Sequence, residues 1–340
     1  MLDFLVFVQY NFSGEAIILN NNALISAMRT AAGRAVMLLV VLFGVSVMSF
    51  GLSAISPVDP AEAFARRTMF NVTPEKIDEL RVQMGADKPV HIRYLRWLRG
   101  IFSGDLGTSL MTRKPVARDI AERLPLTLKL SGLALLLVAA ASVPAAAVCA
   151  SRKNGVFDHI TRGVTVIGLS VPNFWLGFLL LLVFAVIFPV FRVVETGGGL
   201  RALILPAAAL AVPIASSCVR VFRATILSEM NKDYVTYAGA RGLSPERVLW
   251  AHVMKNAFPP MLTMLCQYFG YLLAGCAVLE KIFSLKGLGS YLADAVLGRD
   301  LPAINGCVLV VALIFVAANT FADLVNARLA PRMAHTGGDA

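Results

Sequence analysis

Residues 233–260 read DYVTYAGARGLSPERVLWAHVMKNAFPP, a polar interruption between two long apolar runs. Asp233 to Arg241 predicts one short helix, which Gly242 breaks. Ser244 suits an N-cap, Pro245 the first helical position, and Glu246 places negative charge in the first turn. A second helix is therefore expected from Pro245 to about Ala257, ended by Pro259-Pro260. The result is a helix-Gly-helix elbow at a membrane face. Arg241, Glu246, Arg247 and Lys255 make it a docking surface in one reading and a solvated linker in the other.

Working outward, six charge-free runs of 18 to 29 residues cover 35–58, 130–151, 163–191, 202–219, 256–279 and 301–322. A bilayer core of about 30 Å needs about 20 helical residues, so each run qualifies as a span, the fourth by a narrow margin. Strands of a membrane barrel alternate over about 10 residues and are excluded. The expected fold is all-α and polytopic, with six transmembrane helices at 34–58, 130–151, 163–191, 202–223, 258–279 and 301–322. A large external loop fills 59–129, the elbow 229–257, and a cytoplasmic tail 323–340. Composition agrees, with 57% hydrophobic and 15% charged residues against about 25% charged in soluble domains.

Six spans put both termini on one side. Lys and Arg number 13 on the flanks sharing that side and 5 on the short opposite loops. The termini and elbow are thus expected in the cytoplasm. The net charge of +10 follows this topology and does not imply nucleic acid, because the basic residues flank apolar runs. The segment 59–129, with 13 basic and 9 acidic residues, is assigned outside, where its length weakens the charge rule.

That outer segment has its own signals. Thr73-Pro74-Glu75 starts a helix and Gly85 stops it, with Ile77, Leu80 and Met84 on one face. Tyr94, Trp97 and Leu98 suggest a second short helix. The segment reads equally as a lid over the spans and as a platform for an external partner. Residues 4–14 are uncharged but too short to span. Residues 1–33 read either as an interfacial extension or as an over-extended start before an initiator at Met28.

Inside the spans chemistry is sparse. Ser170, Asn173 and Gly177 fall on one face of the third helix, which Pro172 should kink. Gly270 and Ala274 make a small-residue face in the fifth. Gln267 and Asn319 are lone amides, read as interhelical hydrogen bonds in preference to solute contacts. Ser170, Asn173, Gln267 and Asn319 are the translocation-path candidates. The five cysteines lie in or beside apolar runs without a CxxC pair and read as buried thiols. Lys286-Gly287-Leu288-Gly289 has its lysine on the wrong side for a phosphate loop. There is no HExxH, no GxSxG or carboxylate cluster inside a span, and no ionisable residue near mid-membrane, so neither a membrane enzyme nor an ion-coupled carrier is supported. The energy source is expected on a cytoplasmic partner.

The elbow's Asp233-Tyr234-Val235, Ala238, Ala240-Arg241-Gly242-Leu243-Ser244, His252, Asn256-Ala257 and Pro259 resemble the cytoplasmic loop of ABC-importer permeases of the dipeptide, oligopeptide and nickel family. The likeness runs along most of the chain from about Met28. It includes Gly104-Asp105-Leu106-Gly107-Thr108-Ser109, Ser170-Val171-Pro172 with Phe174-Trp175-Leu176-Gly177, and Glu280 with Ile282-Phe283 and Gly287-Leu288-Gly289. It continues through Arg299-Asp300, Pro302, Asn319, Asp323 and Pro331-Arg332. Thr236-Tyr237 departs from the wider pattern's Glu-Ala, Lys286 from a proline and Ala330 from an aspartate. The large segment after the first span resembles the first of the two permease types in such systems.

The resemblance implies a second permease, two cytoplasmic ATPases using ATP and magnesium, and an external solute-binding protein. No catalytic residue, metal or cofactor is assigned to this chain. Ala238, Gly242, Leu243, Ser244, Glu246 and Arg247 are the expected ATPase-coupling residues. Peptide is the expected cargo, with nickel or a metal chelate as the alternative. A self-sufficient channel or carrier is the rival class.

Overall fold

A computed structural model of the chain describes residues 59–69, 72–83, 85–192 and 199–329, with part of 36–55. Expectations that rest on residues 1–33, on Met84 and on 330–340 lie outside the described residues. Two compact units comprise residues 1–44 and 45–340. The described residues of the first (36, 39, 40 and 42–44) are helical.

The described secondary structure is helical apart from a single bridge between Thr108 and Pro115. In chain order the helices are α1 Leu42–Gly51, α2 Pro60–Thr68, α3 Pro74–Gln83, α4 Val90–Phe102, α5 Val116–Ser151, α6 Val156–Ser170 and α7 Asn173–Leu181. There follow α8 Leu200–Met230, α9 Asp233–Ala240, α10 Pro245–Val248, α11 Met254–Ile282, α12 Leu288–Gly298 and α13 Leu301–Leu329. A π turn, Leu182–Ile187, extends α7, and another, Leu249–Val253, joins α10 to α11.

Among the described residues four elements are long and apolar enough to cross a membrane: α5, α8, the continuous Pro245–Ile282, and Leu301–Ala322. The bent pair α6 and α7 makes a fifth if counted as one span. The first expected span is described only in part, as the ten-residue α1. The chain is an all-α, polytopic membrane protein. Its outward faces are apolar on α6 and α7, where Phe157, Ile160, Ile167, Phe174, Trp175 and Phe178 are exposed, as contact with lipid requires.

Two proline expectations are revised. Pro172 does more than kink the third run. A proline disfavours helical geometry in the residue before it, and Val171 is accordingly extended (φ −88°, ψ 121°). The helices on either side meet at 97°. Ser170 thus ends α6 while Asn173 and Gly177 lie on α7, and the three do not share a helix face. Pro259-Pro260, by contrast, end nothing, because α11 runs straight through them to Ile282. Their missing N–H groups leave the carbonyls of Lys255 and Asn256 without a helical donor. Both residues are exposed, and the helix continues through the pair.

The helices also outrun the apolar runs. Helix α5 begins at Val116, well before its charge-free stretch, and α8 ends at Met230, well after. Helix α8 is the centre of the bundle. Leu203, Ala207, Leu210, Cys218, Phe222 and Ile226 are buried against α5 and α11. The small face of α11 is real at Gly270, where an added Cβ would lie 1.9 Å from the Phe315 ring of α13. Ala274 is exposed. In the outer segment, α3 starts at Pro74 as expected, and Gly85 turns the chain with φ +65°. Helix α2 was not anticipated. Asp59 caps it and also holds Arg81 of α3, while Ala61, Ala65 and Leu80 form a small core of their own.

Candidate functional site

The elbow's first limb, α9, is tied to the end of α8. Lys232 Nζ reaches Glu229 Oε1 at 2.6 Å, and the Tyr234 hydroxyl donates to Glu229 Oε2 at 3.1 Å. Burial raises the Tyr234 phenol above its usual range. At the far end the chain closes a Schellman turn. Gly242 N–H donates to Gly239 O (2.9 Å) and Leu243 N–H to Ala238 O (3.3 Å), with Gly242 at φ +80°. A left-handed position of this kind favours glycine. The apolar contact that accompanies such a turn is present, since Ala238 and Leu243 both pack into the core of α5, α8 and α11.

The second limb starts as its residues dictate. Ser244 caps it, its hydroxyl accepting from Arg247 N–H at 3.4 Å, with Pro245 at the first position. Val248, Leu249 and Val253 are buried beneath it. The limb is not a free rod, because Pro245–Ile282 is one continuous element into the bundle. The π turn between them widens the helix by one residue per turn; such turns are rare and frequently sit at functional sites.

The six expected coupling residues therefore divide. Gly242, Ser244, Glu246 and Arg247 are exposed, while Ala238 and Leu243 point inward and hold the turn. Two exposed aromatics escaped the sequence reading, Tyr237 (71% exposed) and Trp250 (52% exposed). They stand on opposite limbs of the elbow. The only available signal was that large aromatics interrupt an otherwise polar surface, a composition typical of binding hot spots.

The path candidates are scattered. Ser170 Oγ donates to Val166 O (2.9 Å) of its own helix. Asn173 lies near Gly275 of α11, whose added Cβ would be 3.7 Å from Nδ2. Gln267 is exposed. Asn319 Nδ2 donates to Phe315 O at 3.0 Å, one turn back in α13, so its bond is within a helix and not between helices.

The structure also shows buried carboxylates that a search of the apolar runs could not find, because they sit just beyond the runs. Glu280 is fully buried and acts as a remote cap for α12. Its Oε2 accepts Ser290 N–H (2.7 Å), Gly289 N–H also reaches it, and Oε1 accepts the Thr127 hydroxyl (2.6 Å). Thr127 Oγ1 in turn accepts Leu288 N–H at 2.8 Å. The orphan donors of that helix start are thereby satisfied from α11 and α5. This explains Gly287-Leu288-Gly289. A Cβ at Gly287 would lie 2.2 Å from the Glu280 carboxylate, and one at Gly289 would lie 2.7 Å from the Ala277 backbone.

Asp300 does similar work for α13. It accepts Ala303 N–H (3.3 Å), and its other oxygen takes the Ser109 hydroxyl (2.5 Å) and Met111 N–H (3.1 Å), pinning the 104–115 loop to that helix. Asp119 accepts from Thr112 and, at 3.2 Å, from the Tyr291 hydroxyl. Near the elbow end, buried Asp158 forms a two-bond pair with Arg223, both contacts 2.6 Å.

Comparison with known proteins agrees with this architecture. Residues 142–335 match the family described as "Binding-protein-dependent transport system inner membrane component", and residues 27–131 match its N-terminal membrane component. The dipeptide transport system permease protein DppB of Escherichia coli K12 is 31% identical over 322 residues, covering 86% of this chain and 94% of its own. The di/tripeptide transport system permease protein DppB of Pseudomonas aeruginosa UCBPP-PA14 is 33% identical over 331 residues, covering 89% and 98%. A protein of Brucella abortus strain 2308 named for a peptide transport system permease is 35% identical over 296 residues, covering 85% and 93%. The bundle, the capped turn and these matches together place the chain among the binding-protein-dependent transport system inner membrane components, as an ABC-importer permease of the peptide family.

Proposed function

We propose that this chain forms, with a second permease, the path by which short peptides cross the inner membrane, driven by two partner ATPases and supplied by an external binding protein. The peptide cargo rests on the printed names of the relatives. ATP and magnesium belong to the partners, and both termini and the elbow lie in the cytoplasm, as the Lys and Arg distribution supports. The coupling surface is the elbow's outer face: Gly242, Ser244, Glu246 and Arg247, flanked by Tyr237 and Trp250.

The observation that carries this reading is the elbow's two-sidedness. Its inner face is sealed into the core by Ala238, Leu243, Val248 and Leu249, and its outer face is aromatic and charged. Its second limb continues unbroken into α11. A partner's movement at the surface would thus displace a whole helix as a rigid body, with little lost in local bending. Ala238 and Leu243 act by holding the Schellman turn in register.

The test is Gly242→Asp. Nothing lies within 4 Å of an added Cβ there, and aspartate tolerates a left-handed backbone better than most residues. The variant should insert and keep the bundle, at a cost of about 1–2 kcal/mol for a side chain at positive φ. In the reconstituted importer it should hydrolyse ATP without matching peptide uptake. Uptake at the wild-type rate per ATP would overturn the role of the elbow. Peptide transport by the chain alone in liposomes would overturn the partner-driven mechanism.

A further inference from the structure

A cavity of about 440 Å³ lies far from the elbow in sequence, between α4, the 104–110 loop and the first turns of α13. Its size falls within the range of small-molecule sites, about 300–1,000 Å³. Phe50, Arg93, Arg96, Trp97, Asp105 and Asn305 line it. The frame is built with care. Ser46 Oγ meets the Tyr94 hydroxyl at 2.8 Å, Ser49 donates to Asn305 Oδ1 at 2.7 Å, and Phe50 packs against Tyr94 and Trp97. Asp300 holds the loop side, as described above.

The charges in this frame are not spent on one another. Among the described residues, no carboxylate lies within 4.0 Å of the guanidinium of Arg93 or Arg96. Arg93 is steadied over the Phe50 ring, 5.9 Å from its centroid. Asp105 has one oxygen committed to Gly107 N–H at 2.8 Å. The cavity therefore offers two cationic forks, one anionic group and an aromatic wall. Guanidinium forks match carboxylates in two-bond geometry, and a carboxylate matches an ammonium. A molecule with both ends charged and an apolar middle satisfies all three.

We infer that this cavity is a binding site for a short zwitterionic peptide, with its C-terminal carboxylate at Arg93 and Arg96 and its N-terminal ammonium at Asp105. The inference rests on the peptide reading above and deepens it. On the outward side assigned to residues 59–129, the site holds cargo between the external protein and the path. Trp97 supplies the wall. Its indole N–H is shut off from solvent and has no acceptor among the described residues.

The test uses the full-length chain in lipid nanodiscs with alanyl-leucine as probe. Binding is read by calorimetry and by Trp97 fluorescence in a Trp175→Phe, Trp250→Phe background. Alanyl-leucine amide, which lacks the carboxylate, should bind at least about tenfold more weakly, as should the free dipeptide to Arg93→Gln, Arg96→Gln. Arg93→Lys, Arg96→Lys, which keeps the charge, should restore part of the affinity. Asp105→Asn should weaken the free dipeptide but not its N-acetyl form.

Equal affinity for acid and amide would overturn the site. So would absence of dipeptide binding, or binding only of the external protein through these arginines. Peptide uptake by the complete importer separates the two claims. No uptake by the wild type defeats the cargo reading, whereas wild-type uptake with no dipeptide binding to the chain defeats the cavity alone.

Discussion

Removing the Glu280 carboxylate should loosen one end of the bundle in a defined place. Glu280→Ala strips the acceptor from the Thr127 hydroxyl and from the N–H groups of Gly289 and Ser290. Each buried donor left without a partner costs about 1–3 kcal/mol, so the total is about 3–6 kcal/mol after partial relief by entering water. Glu280→Gln keeps the shape and one good acceptor, and should cost about 1–3 kcal/mol. Thr127→Val also orphans Leu288 N–H and should fall between the two. The order of destabilisation is therefore Ala, Val, Gln. Thermal unfolding in nanodiscs should show midpoints lowered by several degrees in that order. Hydrogen exchange adds the local readout. Amides 288–290 should lose protection by about tenfold or more in Glu280→Ala, while the α9–α10 elbow keeps its own. Unchanged exchange at 288–290, or a melting point equal to wild type, would refute the capping argument.

Other outcomes follow from the same geometry. Trp250→Ala or Tyr237→Ala should weaken association with the partner ATPase by about 2 kcal/mol each, measured by co-purification titration, with no change in the melting point of the isolated chain. Asp158→Asn leaves Arg223 without its two-bond partner and should destabilise the fold by about 3 kcal/mol, whereas the double change Asp158→Leu, Arg223→Met should recover most of the loss; melting curves of both variants against the wild type check it. Gly270→Val places a branched side chain against the Phe315 ring and should cost about 1–3 kcal/mol, with partial rescue by Phe315→Ala in a double-mutant cycle.

Much of this protein is legible from local rules. Charge-free runs near 20 residues announce membrane helices because hydrocarbon excludes ionised groups. Ser244-Pro245-Glu246 announces a helix start, and Gly242 the end of the one before it, because caps and left-handed turns depend on residues adjacent in the chain. Four of the six runs lie in helices long and apolar enough to cross a membrane, the third is a pair bent by 97°, and the first is described only in part; the helix start at Pro245 and the left-handed turn at Gly242 are present. The elbow's family likeness was legible for the same reason, since its motif is contiguous.

Tertiary structure decided what depends on neighbours distant in sequence. Whether a proline ends a helix was one such matter: Pro172 breaks its run at 97° because the residue before it becomes extended, while Pro259-Pro260 sit inside a helix that runs on to Ile282. The inward turn of Ala238 and Leu243, against the outward turn of Glu246 and Arg247, depends on which side of a short helix meets α5 and α8. The carboxylate of Glu280 meets Ser290 and Thr127 only after α5, α11 and α12 converge. A chain can state its helices one at a time, but a buried charge finds its partners only when several helices meet.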